Sequence, residues 1–263
     1  MSSPVTLFIV EGEDRDLRYA SEMKQCFLRS QDELRVVCLP AGQNIYMLYS
    51  RLAADEFDTD VIEVLRESVP AARRALEGIA RDDVEQIYLF FDYDPHQNNV
   101  AEDDSDSLLE TMISVFDNEH ENGKLYISYP MVEALHDYRS GQCQSHTGCF
   151  LDWEDIPAYK RLSSEGNRNA SLRMYFLEWK DVLSSFALRC KCLLTLDAVS
   201  FEEYRESVSV RTLFGAERRL LRGEGRLFVL SAFPEFLLDY HDVRFFNSMV
   251  RIRKLKFDEC PLA

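Results

Sequence analysis

Glu11, Asp92, Asp94 and Glu133 are the residues whose types and positions most clearly suggest chemistry. Glu11 directly follows the apolar run Thr6-Leu7-Phe8-Ile9-Val10, and Asp92 and Asp94 follow Gln86-Ile87-Tyr88-Leu89-Phe90-Phe91. Glu133 comes just after Pro130, past the run Lys124-Leu125-Tyr126-Ile127-Ser128-Tyr129. Two carboxylates two positions apart on an extended strand share a face, and they repel unless a cation sits between them. An acid at the end of a core strand, followed by Gly12, needs a reason to be there. A D-x-D taken alone is read more simply as turn or cap chemistry. Four hard oxygen donors converging from separate loops suit Mg²⁺ or Mn²⁺, which bind through few protein carboxylates plus substrate phosphates. Such ions can stabilise the attacking and leaving oxygens of phosphodiester cleavage.

The elements that would position these acids follow from hydrophobic patterning. Strands are predicted at 6–10, 35–39, 86–91 and 124–129. Helical patterns fall between them at about 16–28, 45–54, 60–80, 105–116 and 131–138, with Pro70 breaking the third and Pro130 opening the last. Alternation of strand and helix implies βαβ crossovers, an α/β fold and a mainly parallel four-stranded sheet. Ligands of such sheets bind beyond the carboxyl ends of the strands, where three of these four strands carry acids.

The rest of the chain has a different texture. Residues 140–169 read as loop, followed by helical patterns at about 172–191, 201–208, 213–221 and 235–240 and one further strand at 226–230. The expected organisation is a metal-binding catalytic domain over 1–140 and a mainly helical module over 141–263. Charge divides the same way: 12 Lys/Arg against 29 Asp/Glu in the first part, 18 against 17 in the second. An acidic half opposes avid, salt-dependent coating of nucleic acid, so a polyphosphate substrate would need metal ions and cationic contacts from elsewhere. Seven scattered cysteines suggest reduced thiols in a cytoplasm. The opening MSSPVTLFIVEGEDR lacks a basic leader, and no apolar stretch reaches the ~20 residues of a membrane span. The expectation is a cytoplasmic protein outside the membrane.

Weaker signals have plainer alternatives. Cys143, His146 and Cys149, with Cys190 or Cys192, could ligate zinc, but the spacing is not a standard zinc pattern and a Gly/Ser/Gln loop with incidental thiols is the better account. Arg251, Arg253 and Lys254, with Arg15, Arg218, Arg219 and Arg222, could contact phosphates, or could be a guarded edge strand and a solvated helix face. His96 and His136 flank the acids and could assist proton transfer, although exposed histidines are the commoner case. The aromatic run Phe233–Tyr240 and Phe245-Phe246 reads as core packing.

Leu7-Phe8-Ile9-Val10-Glu11-Gly12 and Phe90-Phe91-Asp92-Tyr93-Asp94, on a four-strand βα array, resemble the TOPRIM domain of primases, topoisomerases and OLD-type nucleases. The resemblance covers about residues 5–138. It implies that Glu11 acts in acid/base or metal work and that Asp92 and Asp94 bind the metal. Tyr129-Pro130-Met131-Val132-Glu133 is similar to the proline-plus-glutamate start found in stand-alone TOPRIM effectors of PARIS-type phage defence, which implies Glu133 as a further ligand. OLD-type nucleases often carry a second acid four residues after the first; here that position is Arg15, with Asp14 and Asp16 on either side, and Asp14 is read as the substitute. No G-x-x-x-x-G-K-[ST] occurs, so an ATPase sensor would be a separate protein. The function so implied is a Mg²⁺-dependent nuclease on RNA, including tRNA, or DNA, working as a defence or toxin-like effector with a protein partner and room for oligomerisation. Two rivals remain: a non-catalytic interaction module folded around a structural ion, and a HAD-like phosphohydrolase using Asp92/Asp94.

Overall fold

The computed structural model describes residues 4–28, 35–93, 102–137, 149–163 and 175–251 (backbone only for 102–105). Two compact units divide the chain, one comprising Met1–Asp92 with Gln97–Tyr126, the other Tyr93–His96 with Ile127–Ala263.

The first unit is built on β1 (Val5–Val10), every residue of which is buried. Such a strand, apolar on both faces, can exist only at the centre of a covered parallel sheet. Accordingly β1 pairs in parallel with β2 (Arg35–Pro40) on one side and β3 (Val84–Asp92) on the other. The sheet runs β2-β1-β3-β5-β4, with β5 at Gly123–Ser128 and β4 the two-residue piece Asp117–Asn118. It therefore has five strands rather than the expected four. The addition is a short antiparallel strand beside β5, too brief for periodicity to reveal. The fold is α/β with a mainly parallel sheet, in keeping with a Rossmann-like arrangement.

Helices α1 (Arg15–Phe27), α2 (Ile45–Ala53), α3 (Val61–Ser68), α4 (Pro70–Ala75) and α5 (Glu102–Val115) belong to this unit. The starts of α2 and α3 are capped as their sequences specify, Asn44 accepting from the Met47 N–H and Asp60 from the Glu63 N–H. The stretch from 60 breaks at Val69, and Pro70 takes the first position of α4, where its missing N–H costs nothing.

Gly123 opens β5 at φ 104°, in the region that favours glycine, and a Cβ there would lie 3.0 Å from Ile87 Cγ2 and 3.2 Å from Leu89 Cδ1. Both neighbours are β3 side chains in the unit's core. Gly123→Ala is therefore expected to destabilise by about 2 kcal/mol, lowering Tm by roughly 5 °C in a thermal melt.

The second unit is mainly helical: α6 (Tyr159–Leu162), α7 (Phe176–Leu194), α8 (Phe201–Ser207), α9 (Val210–Glu224), α10 (Ala232–Tyr240) and α11 (Val243–Met249). α9, α10 and α11 pack on α7. Within the loop expected at 140–169 lies β6 (Phe150–Asp152), which pairs antiparallel with β7 (Arg226–Phe228), the strand foreseen at 226–230. The Phe233–Tyr240 run is core: Phe233, Phe236, Leu237 and Leu238 are buried, as is Phe246. Arg251 is exposed and outside any strand, its N–H donating to Ser184 Oγ at 2.9 Å. Arg253 and Lys254 lie outside the described residues.

The helix expected at 131–138 is instead a 3-10 turn, Val132–His136, after an extended Met131 and a cis Tyr129-Pro130 bond. Tertiary partners claim its end. The Asp137 carbonyl accepts from Arg189 Nη2 and its carboxylate from the Tyr159 hydroxyl, which holds the chain in a turn where an isolated segment would continue as helix.

Among the described residues no helix is long and apolar enough to cross a membrane.

A candidate metal-binding site at the carboxyl edge of the sheet

The position of Glu11 is fixed by the sheet itself. Its N–H donates to the Phe90 carbonyl at 3.1 Å, and its own carbonyl accepts from the Gly42 N–H at 3.1 Å. The residue after β1 is thus held between the ends of β3 and β2, at the carboxyl edge. Gly42 sits at φ 62°, a conformation that lets the chain turn there without a Cβ penalty.

The side chain is held as well. Glu11 Oε2 accepts the backbone N–H of Asp92 at 3.2 Å, bridging residues far apart in sequence. A carboxylate with one oxygen fixed by a strand-end amide presents its other oxygen in a set direction at little conformational cost. Glu11 and Asp92 are both half-buried, screened from bulk water yet reachable.

Two acids flank Arg15, and the structure distinguishes them. Asp14, at the N-cap of α1, is exposed and makes no side-chain cap bond. Asp16, in the first helical turn, is half-buried and lies back over Gly12: a Cβ on Gly12 would meet Asp16 Oδ2 at 2.8 Å. Gly12 is therefore small because an acid folds over it. Asp16 is the acid that reaches the chain immediately following Glu11, while Asp14 points to solvent. The positive end of the α1 dipole favours a carboxylate at that position. Arg15 itself is half-buried in the same turn.

These donors suit a hard cation, since Mg²⁺ takes one or two protein carboxylates and completes its shell with water and phosphate. Among the described residues no group of three or more His, Cys, Asp or Glu side chains is placed to hold a metal ion. Asp94 and His96 lie outside the described residues; Glu11 and Asp92 are linked by the bond from the Asp92 backbone N–H to the Glu11 carboxylate.

In the second unit Glu133 and His136 are buried, at 5% and 3% exposure, which overturns the expectation of an exposed histidine. Both belong to the turn that Arg189 and Tyr159 fasten. The Arg189 guanidinium, itself buried, also donates to the Val229 carbonyl at 2.6 Å. Burial, reinforced by Asp137, pushes the Tyr159 hydroxyl well above its usual range, so it remains a donor to Asp137.

Of the cationic candidates on α9, Arg218 is half-buried with its guanidinium 5.6 Å from the Phe214 ring centre, while Arg219 and Arg222 are exposed. Arg218 therefore has a packing role beyond a solvated face. Of the zinc candidates, Cys143 and His146 lie outside the described residues. Cys149 and Cys190 are buried. Burial, together with Glu235 and Glu217, pushes the Cys190 thiol up, toward the protonated form that does not bind metal.

Sequence reading missed the buried polar groups of the second unit, above all Glu217, which is fully buried with Oε2 accepting the Phe228 N–H at 2.8 Å. Helical spacing could have found it. Glu217 falls four residues after Leu213 and three after Phe214, on the apolar face of α9.

Comparison of the chain with protein-family models, with curated proteins and with solved structures gives no match.

Proposed function

We propose that the protein is a divalent-metal-dependent nuclease of TOPRIM type, acting on RNA, including tRNA, or on DNA, as the effector of an anti-phage or toxin-like system. The observation that carries this reading is the hydrogen bond from the Asp92 backbone N–H to Glu11 Oε2, which fixes the Glu11 carboxylate against the end of β3 at the carboxyl edge of a parallel sheet. A parallel sheet whose carboxyl edge carries a carboxylate fixed by a backbone amide suits phosphoryl-transfer chemistry on Mg²⁺ or Mn²⁺.

Glu11 and Asp92 would hold the ion. The resemblance adds Asp94 and Glu133, and Asp16, which lies over Gly12, would replace the exposed Asp14 as the substitute for the second acid that Arg15 displaces. The ion would supply charge neutralisation for an incoming phosphodiester and acidify a bound water. The chain's own groups orient: the Asp92 N–H fixes Glu11, the Phe90 and Gly42 backbones fix its position, and half-burial limits competing water. The chain carries 46 acidic against 30 basic residues, so approach of a polyanion calls for cationic help. A separate ATPase sensor partner would be one source of it.

Purified protein incubated with total RNA and with plasmid DNA, in Mg²⁺, Mn²⁺ or EDTA, tests the reading. Metal-dependent cleavage of one polymer, lost in Asp92→Asn, is expected. No metal-dependent difference on either polymer removes the nuclease assignment.

A further inference from the structure

A small cavity of about 10 Å³ lies within the second unit, lined by Ser185, Arg189, Asp137, Val229, Ser231 and Pro234 among others. That volume is about the room one water molecule needs. Two of the lining hydroxyls, Ser185 Oγ and Ser231 Oγ, are buried with no hydrogen-bond partner among the described residues. Their residues are 4% and 3% exposed.

The isolation of Ser231 has a physical cause. It occupies the N-cap of α10, where a serine hydroxyl ordinarily accepts from the N–H two or three residues on. Ser200 and Ser209 cap α8 and α9 in this way. In α10 the third helical residue is Pro234, which has no N–H to give to the cap. Ser231 is therefore a cap residue without a cap bond, its residue lining the cavity. Ser185 lies one helical turn before Arg189 on α7, on the same face.

The chemistry of the lining selects the occupant. A guanidinium in the wall rejects a cation. An anion is larger than the space, and Arg189 Nη1 and Nη2 already donate to the Val229 and Asp137 carbonyls. What fits is a single neutral molecule that both donates and accepts.

We propose that this cavity is a built water site, in which one ordered water bridges the hydroxyls of Ser185 and Ser231 and so ties α7 to the start of α10, beside the arginine that fastens the 132–137 turn. Leaving two buried hydroxyls unmatched would otherwise be costly.

A high-resolution crystal structure of the whole chain tests this directly. Water density within hydrogen-bond distance of both Oγ atoms is expected. A dry cavity, or Ser185 Oγ turned back to its own helix carbonyl, overturns the proposal. Urea unfolding of Ser185→Ala, Ser231→Ala and the double variant gives an independent measure. Each single change is expected to lower the folded-to-unfolded ratio by roughly fivefold, and the double by much less than the roughly 25-fold product, because both hydroxyls share one water. Additive losses would overturn the shared-water account.

Discussion

Glu11→Gln is expected to lower metal-dependent cleavage by about two to three orders of magnitude while leaving the fold intact. The substitution separates two jobs that one carboxylate does. The amide oxygen of glutamine can still accept the Asp92 N–H that now binds Glu11 Oε2, so the link between the β1 and β3 ends survives. What disappears is the negative charge that a divalent cation needs. Without metal, the like charges of Glu11 and Asp92 at the ends of β1 and β3 repel, so in EDTA the variant should melt at or slightly above the wild-type temperature. Added Mn²⁺ should raise the wild-type Tm through binding to the native state, and should raise that of Glu11→Gln much less. Single-turnover cleavage and melting curves with and without metal read out both halves. Undiminished cleavage by Glu11→Gln would mean that the acid only shapes a loop and that the chemistry lies elsewhere; no cleavage by wild type or variant would make the non-catalytic module the better account.

The legible part of this site is the part set by unbroken burial. The almost wholly apolar run Thr6-Leu7-Phe8-Ile9-Val10 marks a strand buried on both faces, so the residue after it emerges at a sheet edge. The same logic placed Asp92 at the end of β3, and a single hydrogen bond links its backbone to Glu11. Asp16 was harder to find because its role depends on Gly12. Sequence shows an acid on either side of Arg15, but only the turn from β1 into α1 decides which one folds back. Near Glu133 the local signal was misleading. Proline followed by Met-Val-Glu-Ala-Leu reads as the start of a helix, whereas hydrogen bonds from Arg189 and Tyr159 to Asp137 hold a 3-10 turn. Those partners lie 52 and 22 residues away, beyond the reach of any local pattern. The short β4 and β6 strands were hidden for a related reason: two- and three-residue pieces are defined by their partners, not by their own periodicity.

Glu217→Gln should stabilise the protein increasingly as pH rises. Glu217 is fully buried, and burial pushes its carboxyl well above the usual range against the opposing effect of the Phe228 N–H. Its second oxygen has no hydrogen-bond partner among the described residues, so burial is opposed by the Phe228 N–H alone. The native state therefore holds a proton on Glu217 at a pH where the unfolded chain has released it. Below the ordinary carboxylate range both states are protonated and the group's contribution is fully present. Above that range the unfolded state binds fewer protons than the native one, so stability falls with rising pH until the native group itself ionises. The slope from this one group is about 1.4 kcal/mol per pH unit. Glutamine keeps an oxygen for the Phe228 N–H and has no proton to lose. The stability difference between Glu217→Gln and wild type should thus be small near pH 4 and widen at about that slope, each kcal/mol adding roughly 2–4 °C to Tm. Urea unfolding of both proteins from pH 4 to 8 measures it, and the subtraction cancels every group the two share. A difference that stays flat across this range would mean that Glu217 is charged in the core. Glu217→Ala provides the contrast. It removes the acceptor of the Phe228 N–H that links α9 to β7 and leaves a cavity, so it should destabilise by about 3 kcal/mol even where Glu217→Gln stabilises.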